Sequence, residues 1–372
     1  MKSFFALLCG VIVLCMPISP AYADPTIVHL TSVLHQNFTG DFRNDDLAQE
    51  LTPSGKLGQL VFVPINKSRI WVIDPALIDE VVAMSGSYKL ATDAVPIGQQ
   101  IALAWLSQLK RVSANNDVIA LAYGNPDVNL AKRLAPNELK FYYSFGKTQL
   151  EIALERVVRS EPRGNWSLGK SKLNPLMLKN YSDDRKAITR LSRVVNSPDV
   201  SGLRIRLGRL LSPELKSESI NYFSLNASTA VNTQIHRLRV NSGKYQITTE
   251  KSQLPVTVIN DFPVEVKIDI QMLALNSRIL VDDFVGVKLA AKSKTQLALN
   301  AFVVAPGQTD VSAQITDDEG NEVGPVSTLA LNATVIDKRV IWLTTGAAIL
   351  LLLAAITQSV RRVRKGRNSE IK

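Results

Sequence analysis

Two aspartates and one asparagine follow predicted strands, and their positions are the ones best suited to acid–base chemistry. Asp74 comes directly after the apolar run 69–73, and Asn125 and Asp127 come after the run 117–123. Two carboxylates about 5–9.5 Å apart can hydrolyse a glycosidic bond. Asp74 and Asp127 are therefore the catalytic candidates, for an enzyme of the glycan hydrolase or deacetylase kind.

The same aspartates also fit a purely structural role. Asp74 precedes Pro75 and Asp127 follows Pro126, and a carboxylate just before a helix accepts hydrogen bonds from the first amides of that helix. We favour this interpretation. An enzyme needs the two carboxylates to face each other across a cleft within about 10 Å, whereas capping residues bind the amides of their own helices.

The sequence contains few residues that could bind a metal ion or a cofactor or react as a thiol. The chain has two cysteines, Cys9 and Cys15, and three histidines, His29, His35 and His236. Both cysteines lie in an N-terminal apolar run that we expect to be removed. The sequence has no glycine-rich phosphate loop, nucleophile elbow or H-E-x-x-H motif. We therefore expect no metal site, no cofactor and no disulfide.

Aromatic side chains could provide a surface on which a sugar ring stacks. The members of this set are Trp71, Trp105, Tyr123, Tyr142 and Tyr143. Large aromatic residues bury much apolar area and are common in cores, and we assign most of this set to the core. Tyr142 and Tyr143 are the pair that we expect to be exposed. Tyr123, Asn125, Tyr142 and Tyr143 are thus the ligand-binding candidates.

Two acidic runs contain the oxygen ligands that Ca²⁺ prefers. They are residues 282–283 and 317–319. Short acidic runs next to glycine and asparagine are also typical of solvated turns, and we interpret both runs in this way.

The elements that would position the catalytic candidates follow an α/β pattern. Apolar runs at 57–64, 69–73 and 117–123 alternate with helical periodicity at 76–84, 99–112 and 128–134. This alternation predicts parallel strands, and ligands of such sheets bind at the carboxyl ends of the strands. A degenerate carbohydrate-active barrel would have the same alternation. Residues 138–216 have helical periodicity without a strand pattern, so one α/β domain is expected over 24–225.

Residues 232–336 have a different texture. Apolar and polar residues alternate in about seven segments, with turn residues between them. This pattern predicts an all-β, Ig-like sandwich without the cysteine pair of antibody domains.

The two ends of the chain indicate export and membrane attachment. Residues 1–23 combine a charged start, an apolar stretch and a small-x-small ending, as a signal peptide does; a lipoprotein cleaved before Cys15 is the alternative. Residues 340–360 contain no charged residue and are long enough for one membrane helix. The basic tail 361–372 is then cytoplasmic and the bulk of the chain extracytoplasmic, in a single-pass type I arrangement.

The net charge of +10 is explained largely by the basic C-terminal tail. Half of it belongs to the C-terminal tail, so the outer part is nearly neutral. A basic isoelectric point of this origin indicates membrane orientation rather than nucleic-acid binding.

Four phrases in this order resemble an uncharacterised actinobacterial family of secreted, single-pass membrane proteins. The phrases are W71-V-I-D-P-A-L77, A104-W-L106, Y123-G-N-P-D127 and L254-P-V-T-V-I-N260. The resemblance implies an α/β region before an Ig-like domain and a membrane helix, and a gene beside the MviN-type lipid II flippase. Asn125 departs from the aspartate that the family tends to have there. The resemblance implies a setting in envelope growth and no particular reaction.

Together these observations predict a membrane-anchored extracytoplasmic protein. Its expected role is to bind or scaffold a component of cell-envelope assembly without catalysis. Its partners would be the lipid bilayer, through residues 340–360, and either cell-wall glycan or envelope-assembly proteins. The alternative is an enzyme that acts on envelope glycan with Asp74 and Asp127.

Overall fold

The structure, a computed structural model, describes residues 25–64, 68–92, 94–160, 166–334 and 338–367. The predicted signal peptide, and with it both cysteines, lies outside the described residues. The chain divides into two compact units. The first contains the residues up to His35, Phe42–Asn125 and Leu139–Ser167, and the second contains Gln36–Asp41, Pro126–Glu138 and the chain from Leu168 onward.

The first unit combines four short strands with helices. Its elements are β1 (Thr26–Leu30), α1 (Asp46–Leu51), α2 (Lys56–Phe62), β2 (Arg69–Ile73), α3 (Pro75–Ser85), α4 (Gln99–Ser113), β3 (Asp117–Ala120) and β4 (Arg159–Ser160). Helix α6 (Pro136–Leu154) begins in the second unit and continues into the first.

The second unit contains the remaining helices and the β-rich half of the chain. Its helices are α5 (Val128–Leu134), α7 (Pro175–Val194), α8 (Pro198–Arg206), a 3₁₀ turn (Leu207–Leu211), α9 (Ser217–Ile235) and α10 (Lys338–Arg367). Its strands are β5 (Leu238–Val240), β6 (Gly243–Ile247), β7 (Lys251–Asn260), β8 (Val266–Ala274), β9 (Ile279–Val281), β10 (Phe284–Leu289), β11 (Ser293–Val303), β12 (Gly307–Thr316) and β13 (Ser327–Ala333).

The four strands of the first unit form the predicted parallel sheet. Their order is β1-β2-β3-β4, and each neighbouring pair is parallel. Strand β2 is almost entirely buried, as expected for a strand with helices on both faces. Within the described residues the sheet is open, since β1 and β4 each have one neighbour. The barrel alternative is therefore wrong.

Two local predictions in this unit are also wrong. The segment 57–64 was expected to lead into the strand, but residues 56–62 form helix α2, whose Leu57 and Val61 are buried one helical turn apart. Gly58 allows the close approach of this helix, because an added Cβ would lie 1.7 Å from the carbonyl oxygen of Thr52. Residues 138–216 were expected to contain no strand, yet β4 adds a two-residue edge to the sheet.

The β-rich half of the second unit forms two sheets, as the predicted sandwich requires. One sheet has the order β10-β8-β12-β13-β6 and the other has the order β5-β7-β11-β9. The inward residues of each strand alternate with outward ones, as in β8, where Val266, Ile268, Ile270 and Met272 are buried. The described strands number nine rather than about seven; the short strands β5 and β6 lie in different sheets.

The C-terminal apolar segment lies within helix α10, which has thirty residues. Trp342 is exposed, and the side chains at 338–341, 343, 344 and 363–367 of this helix are outside the described part. No helix in the described part of the chain is both long enough and apolar enough to cross a membrane.

Candidate functional site

Asp74 lies where β2 meets α3, at the carboxyl edge of the parallel sheet. Its side chain is buried, and its Oδ1 accepts hydrogen bonds from the amides of Ala76 at 2.9 Å and Gly124 at 2.8 Å. The first amide belongs to the first turn of α3, and the second follows β3. Asp74 therefore caps a helix and also links the ends of two neighbouring strands.

Asp127 has a similar role in the second unit. Its Oδ1 accepts from the amide of Leu130 at 3.0 Å, in the first turn of α5, and its Oδ2 accepts from the amide of Ser171 at 3.1 Å. Both oxygens of the carboxylate thus bind backbone amides.

Both catalytic candidates therefore have the hydrogen bonds that the capping interpretation predicts. Their assignment to catalysis stays a prediction. A general acid or nucleophile must exchange protons or bonds with a substrate, and here three of the four carboxylate oxygens accept amide hydrogen bonds of the fold.

Asn125 is the least expected residue at this edge. Its φ of 42° places it in the left-handed region that asparagine tolerates better than most residues. Its side chain is buried, and its Oδ1 has no hydrogen-bond partner among the described residues. Asn125 thus completes a tight turn after Tyr123 and Gly124, in which its amide donates to the carbonyl of Ala122 at 2.8 Å.

The aromatic candidates belong to the core. Trp71 and Trp105 are fully buried, and the indole of Trp105 donates to the carbonyl of Leu57 at 3.1 Å. Tyr123 is buried against Phe145, with the ring centroids 5.5 Å apart. No exposed stacking surface is formed by these three rings.

The expected exposure of Tyr142 and Tyr143 is wrong. Their exposed fractions are 0% and 6%. Both belong to the buried stripe of α6 that continues through Gly146 to Leu150, and an added Cβ at Gly146 would lie 3.1 Å from the amide nitrogen of Tyr123. The spacing of three and four residues along this stripe is the signal that would have assigned both tyrosines to the core.

A polar network that the sequence patterns did not indicate follows β1. Ser32, His35 and Glu80 are buried, and Glu50 is partly exposed. The hydroxyl of Ser32 donates to Glu50 at 2.7 Å and lies 3.2 Å from Nε2 of His35, while the amide of His35 donates to Glu80 at 3.1 Å.

This network resembles a serine nucleophile beside its base only in composition. A base must accept the serine proton, but here the hydroxyl of Ser32 donates to Glu50. The four residues connect the loop after β1 to α1 and α3. We assign them a structural role.

Carboxylates of the two acidic runs accept hydrogen bonds from neighbouring strands and turns. Asp282 accepts from Asn300, and Asp283 accepts from the amide of Met272. Asp317 is buried and accepts from the backbone of Glu319 and from the backbone and side chain of Asn321. In the described part of the chain, no His, Cys, Asp or Glu side chains are grouped so that they could hold a metal ion.

The ionisation of Asp317 reflects this turn. Burial raises the pKa of its carboxyl, but the hydrogen bonds from Asn321, Arg193 and Glu319 outweigh the burial, so the pKa lies below its ordinary value. Asp317 thus remains charged, and N–H donors of Asn321, Glu319 and Arg193 satisfy its oxygens.

A cleft in the second unit offers a more open site. It has a volume of about 430 Å³ and is lined by Phe38, Thr39, Pro198, Asp199, Gly202, Leu203, Arg206, Ala230, Thr233 and Gln234. The floor of the cleft is apolar, since Phe38, Leu203 and Ala230 are buried. Its rim carries hydroxyl, amide and charged groups.

The loop that closes one side of this cleft is held from two helices. The amide of Phe38 donates to Asn226 at 2.8 Å, and its carbonyl accepts from Arg206 at 3.0 Å. Asn37 accepts from the hydroxyl of Tyr222 at 3.0 Å. Gly202 forms part of the wall, and an added Cβ there would meet no atom within 4 Å.

The chain matches one known protein family. The family model described as "Family of unknown function (DUF6049)" matches residues 171–368, which is more than half of the chain. The chain belongs to the DUF6049 family. The matched part contains α7 to α10, the sandwich and most of the cleft wall, so the predicted membership in an uncharacterised family is confirmed. No protein of known curated function matches this DUF6049 chain.

Several solved structures are similar to about a quarter of the chain. WR4, an MSP family member from Caenorhabditis elegans, is 16% identical over 26% of this chain and 98% of its own, with a TM-score of 0.21. The CARDB domain of the PF1109 protein from Pyrococcus furiosus is 17% identical over 27% and 90%, with a TM-score of 0.20. A PapD-like domain of human CEP192 is 7% identical over 27% and 87%, with a TM-score of 0.21.

Proposed function

We propose that this DUF6049 protein is a membrane-anchored, extracytoplasmic binding or scaffolding component of cell-envelope assembly. The observation that carries the non-enzymatic part is that Asp74 and Asp127 both accept hydrogen bonds from helix amides. The apolar segment 340–360 and the basic residues after it support the anchor and its orientation.

The setting of the proposal comes from the ends of the chain and from the family resemblance. A signal peptide at 1–23, a single-pass topology and an actinobacterial host with a neighbouring lipid II flippase gene are parts of this proposal. They agree with an outer part that is nearly neutral and poor in histidine.

The ligand site in this proposal is the cleft between the loop 36–41, α8 and α9. Thr39, Asp199, Arg206, Thr233 and Gln234 provide donors and acceptors above an apolar base. Sites for small polar ligands combine an apolar wall with a few placed polar groups in this way. Cell-wall glycan, which is rich in hydroxyls, is the ligand class that this lining fits.

Filling the cleft tests this assignment. Gly202→Leu is expected to weaken binding of a soluble disaccharide–peptide fragment of the cell wall by about tenfold or more, because a side chain would occupy the space now open beside Gly202. Isothermal titration of the full chain in detergent measures this. Replacing glycine inside α8 also favours the helix, so loss of binding is separable from unfolding.

Two further variants serve as controls. Gly202→Ala adds one methyl group and should have an intermediate effect. Asn232 is an exposed residue of α9, next to the cleft-lining Thr233, and does not itself line the cleft. The variant Asn232→Leu should therefore bind the cell-wall fragment with the affinity of the wild type. Equal affinities for Gly202→Leu and wild type would exclude the cleft as the glycan site.

A further inference from the structure

Three loops and one strand end lie together at one end of the sandwich. The loops are 247–251, 274–279 and 303–307, and the strand end is Ala333, the partner of Gly307 in the register of β12 and β13. We call this the proximal end, because the chain leaves it towards α10.

Hydrogen bonds between these loops fix their arrangement. The amide of Val304 donates to the carbonyl of Arg278 at 2.7 Å, and that of Val303 donates to Glu250 at 2.8 Å. The amide of Thr334 donates to the carbonyl of Ile247, also at 2.8 Å. The proximal end is thus a connected surface, and its side chains are presented from backbone held at several points.

This surface exposes apolar side chains beside cations. Leu275 is 68% exposed, Val304 is 58% exposed and Leu280 is 53% exposed. Lys251 and Arg278 are exposed among them, and Lys251 shares a groove with Leu280. Apolar residues next to lysine and arginine are the combination found on surfaces that lie at a lipid headgroup layer.

The opposite end of the sandwich is more acidic. Its loops 261–265, 290–292 and 317–326 contain six carboxylate residues and one lysine, and Asp261, Asp317 and Glu319 among them pair with arginines. The proximal loops contain two cations and one carboxylate, and Asp282 also lines the groove of Lys251 and Leu280. An anionic bilayer would therefore favour the proximal end over the opposite one.

The connection to α10 is short. Thr334 and Lys338 are four residues apart, and a chain of that length spans at most about 14 Å. Lys338 and Arg339 then precede the apolar segment 340–360. If this segment spans a bilayer, the proximal end lies within one short tether of the headgroups.

We propose that the proximal end docks on the anionic headgroup surface of the bilayer in which the chain is anchored. Leu275 and Val304 enter the interface, and Lys251 and Arg278 contact phosphate groups. The docking rests on the membrane anchor of the proposed function and adds a defined orientation of the sandwich on the membrane.

Depth-dependent quenching tests this docking. Full chains with Cys9 and Cys15 replaced by serine receive one cysteine each, as Leu275→Cys, Val304→Cys, Val326→Cys or Leu351→Cys, and carry a bimane label in vesicles of phosphatidylglycerol and brominated phosphatidylcholine. Val326 is a matched control, exposed at 60%. It precedes Ser327, the partner of Ala313, about 20 Å up the sandwich from Gly307.

The proposal predicts quenching at 275 and 304 that exceeds quenching at 326 by about twofold or more. Equal quenching at these three positions, with strong quenching at 351, would overturn the docking and leave the anchor in place. Absence of quenching at 351 would overturn the anchor and the docking together. A label shift at 275 that depends on protein concentration in detergent would identify a second copy as the partner instead.

Discussion

Replacing Glu138 with alanine is expected to lower the free energy of unfolding by about 3–5 kcal/mol, as is typical when one partner of a buried ion pair is removed. Glu138 is buried, and its two oxygens accept from Nε and Nη2 of Arg204 at 2.9 and 2.7 Å. Thr189 adds a third hydrogen bond at 3.2 Å. The pair thus connects the start of α6 with α7 and α8.

The effect is large because the guanidinium of Arg204 would remain in a partly buried position without its carboxylate. Chemical denaturation of the full chain in detergent, followed by circular dichroism, measures the loss. Should Glu138→Ala fail to fold, Glu138→Gln keeps the shape and one acceptor, and is expected to lose less. The double variant Glu138→Leu/Arg204→Leu should recover much of the stability.

The exposed pair Lys179–Asp183 is the control. It has a short distance of 2.7 Å, but both side chains are more than half exposed. Solvent screens such pairs, so Lys179→Ala should change the stability by less than about 0.5 kcal/mol. Equal effects of Lys179→Ala and Glu138→Ala would contradict the structural role of Glu138.

Replacing Asp74 with alanine is expected to cost about 3 kcal/mol of stability, because two buried amides, those of Ala76 and Gly124, would lose their acceptor. Asp74→Asn keeps an acceptor oxygen at the same place and should lose much less. Asp127→Ala should lose about 1 kcal/mol, the usual effect of removing a helix cap, since Asp127 is only half-buried.

This graded series separates the two interpretations of Asp74. If Asp74 has a structural role, Asp74→Ala lowers the stability of the protein more than Asp74→Asn does. Denaturation midpoints measure this difference. If Asp74→Ala unfolded at the wild-type midpoint, its carboxylate would not be needed by the fold. The enzymatic hypothesis for Asp74 and Asp127 would then regain its strength.

The sequence predicted the elements whose periodicity is long and regular. The parallel pairing of β2 with β3, the start of α3 at Asp74-Pro75 and the alternation along β7 and β8 each follow from local patterns. Strand β1, which pairs with β2, was not predicted. The capping roles of Asp74 and Asp127 were predictable for the same reason, since the carboxylate and its amides are neighbours in sequence.

Other features depend on contacts that no local pattern contains. Residues 57–64 are apolar enough for a strand, and their helical form depends on packing around Gly58. The network of Ser32, His35, Glu50 and Glu80 joins residues up to 45 positions apart.

The cleft beside Gly202 could not be predicted from the sequence, because residues far apart in the chain form it. It is formed by the loop 36–41 together with two helices that lie more than 150 residues later in the chain. The interactions that hold this loop, from Arg206, Tyr222 and Asn226, come from residues with unremarkable local sequence.

Cysteine labelling in intact cells tests the central claim, a membrane-anchored protein with its bulk outside the cytoplasm. Val326, exposed on the sandwich away from the proximal end, and Ser369, in the basic tail, are each replaced by cysteine in a chain without Cys9 and Cys15. We expect a membrane-impermeant maleimide to label Val326→Cys in intact cells and Ser369→Cys only after lysis. Labelling of Ser369→Cys in intact cells, or protection of Val326→Cys there, would contradict the claim.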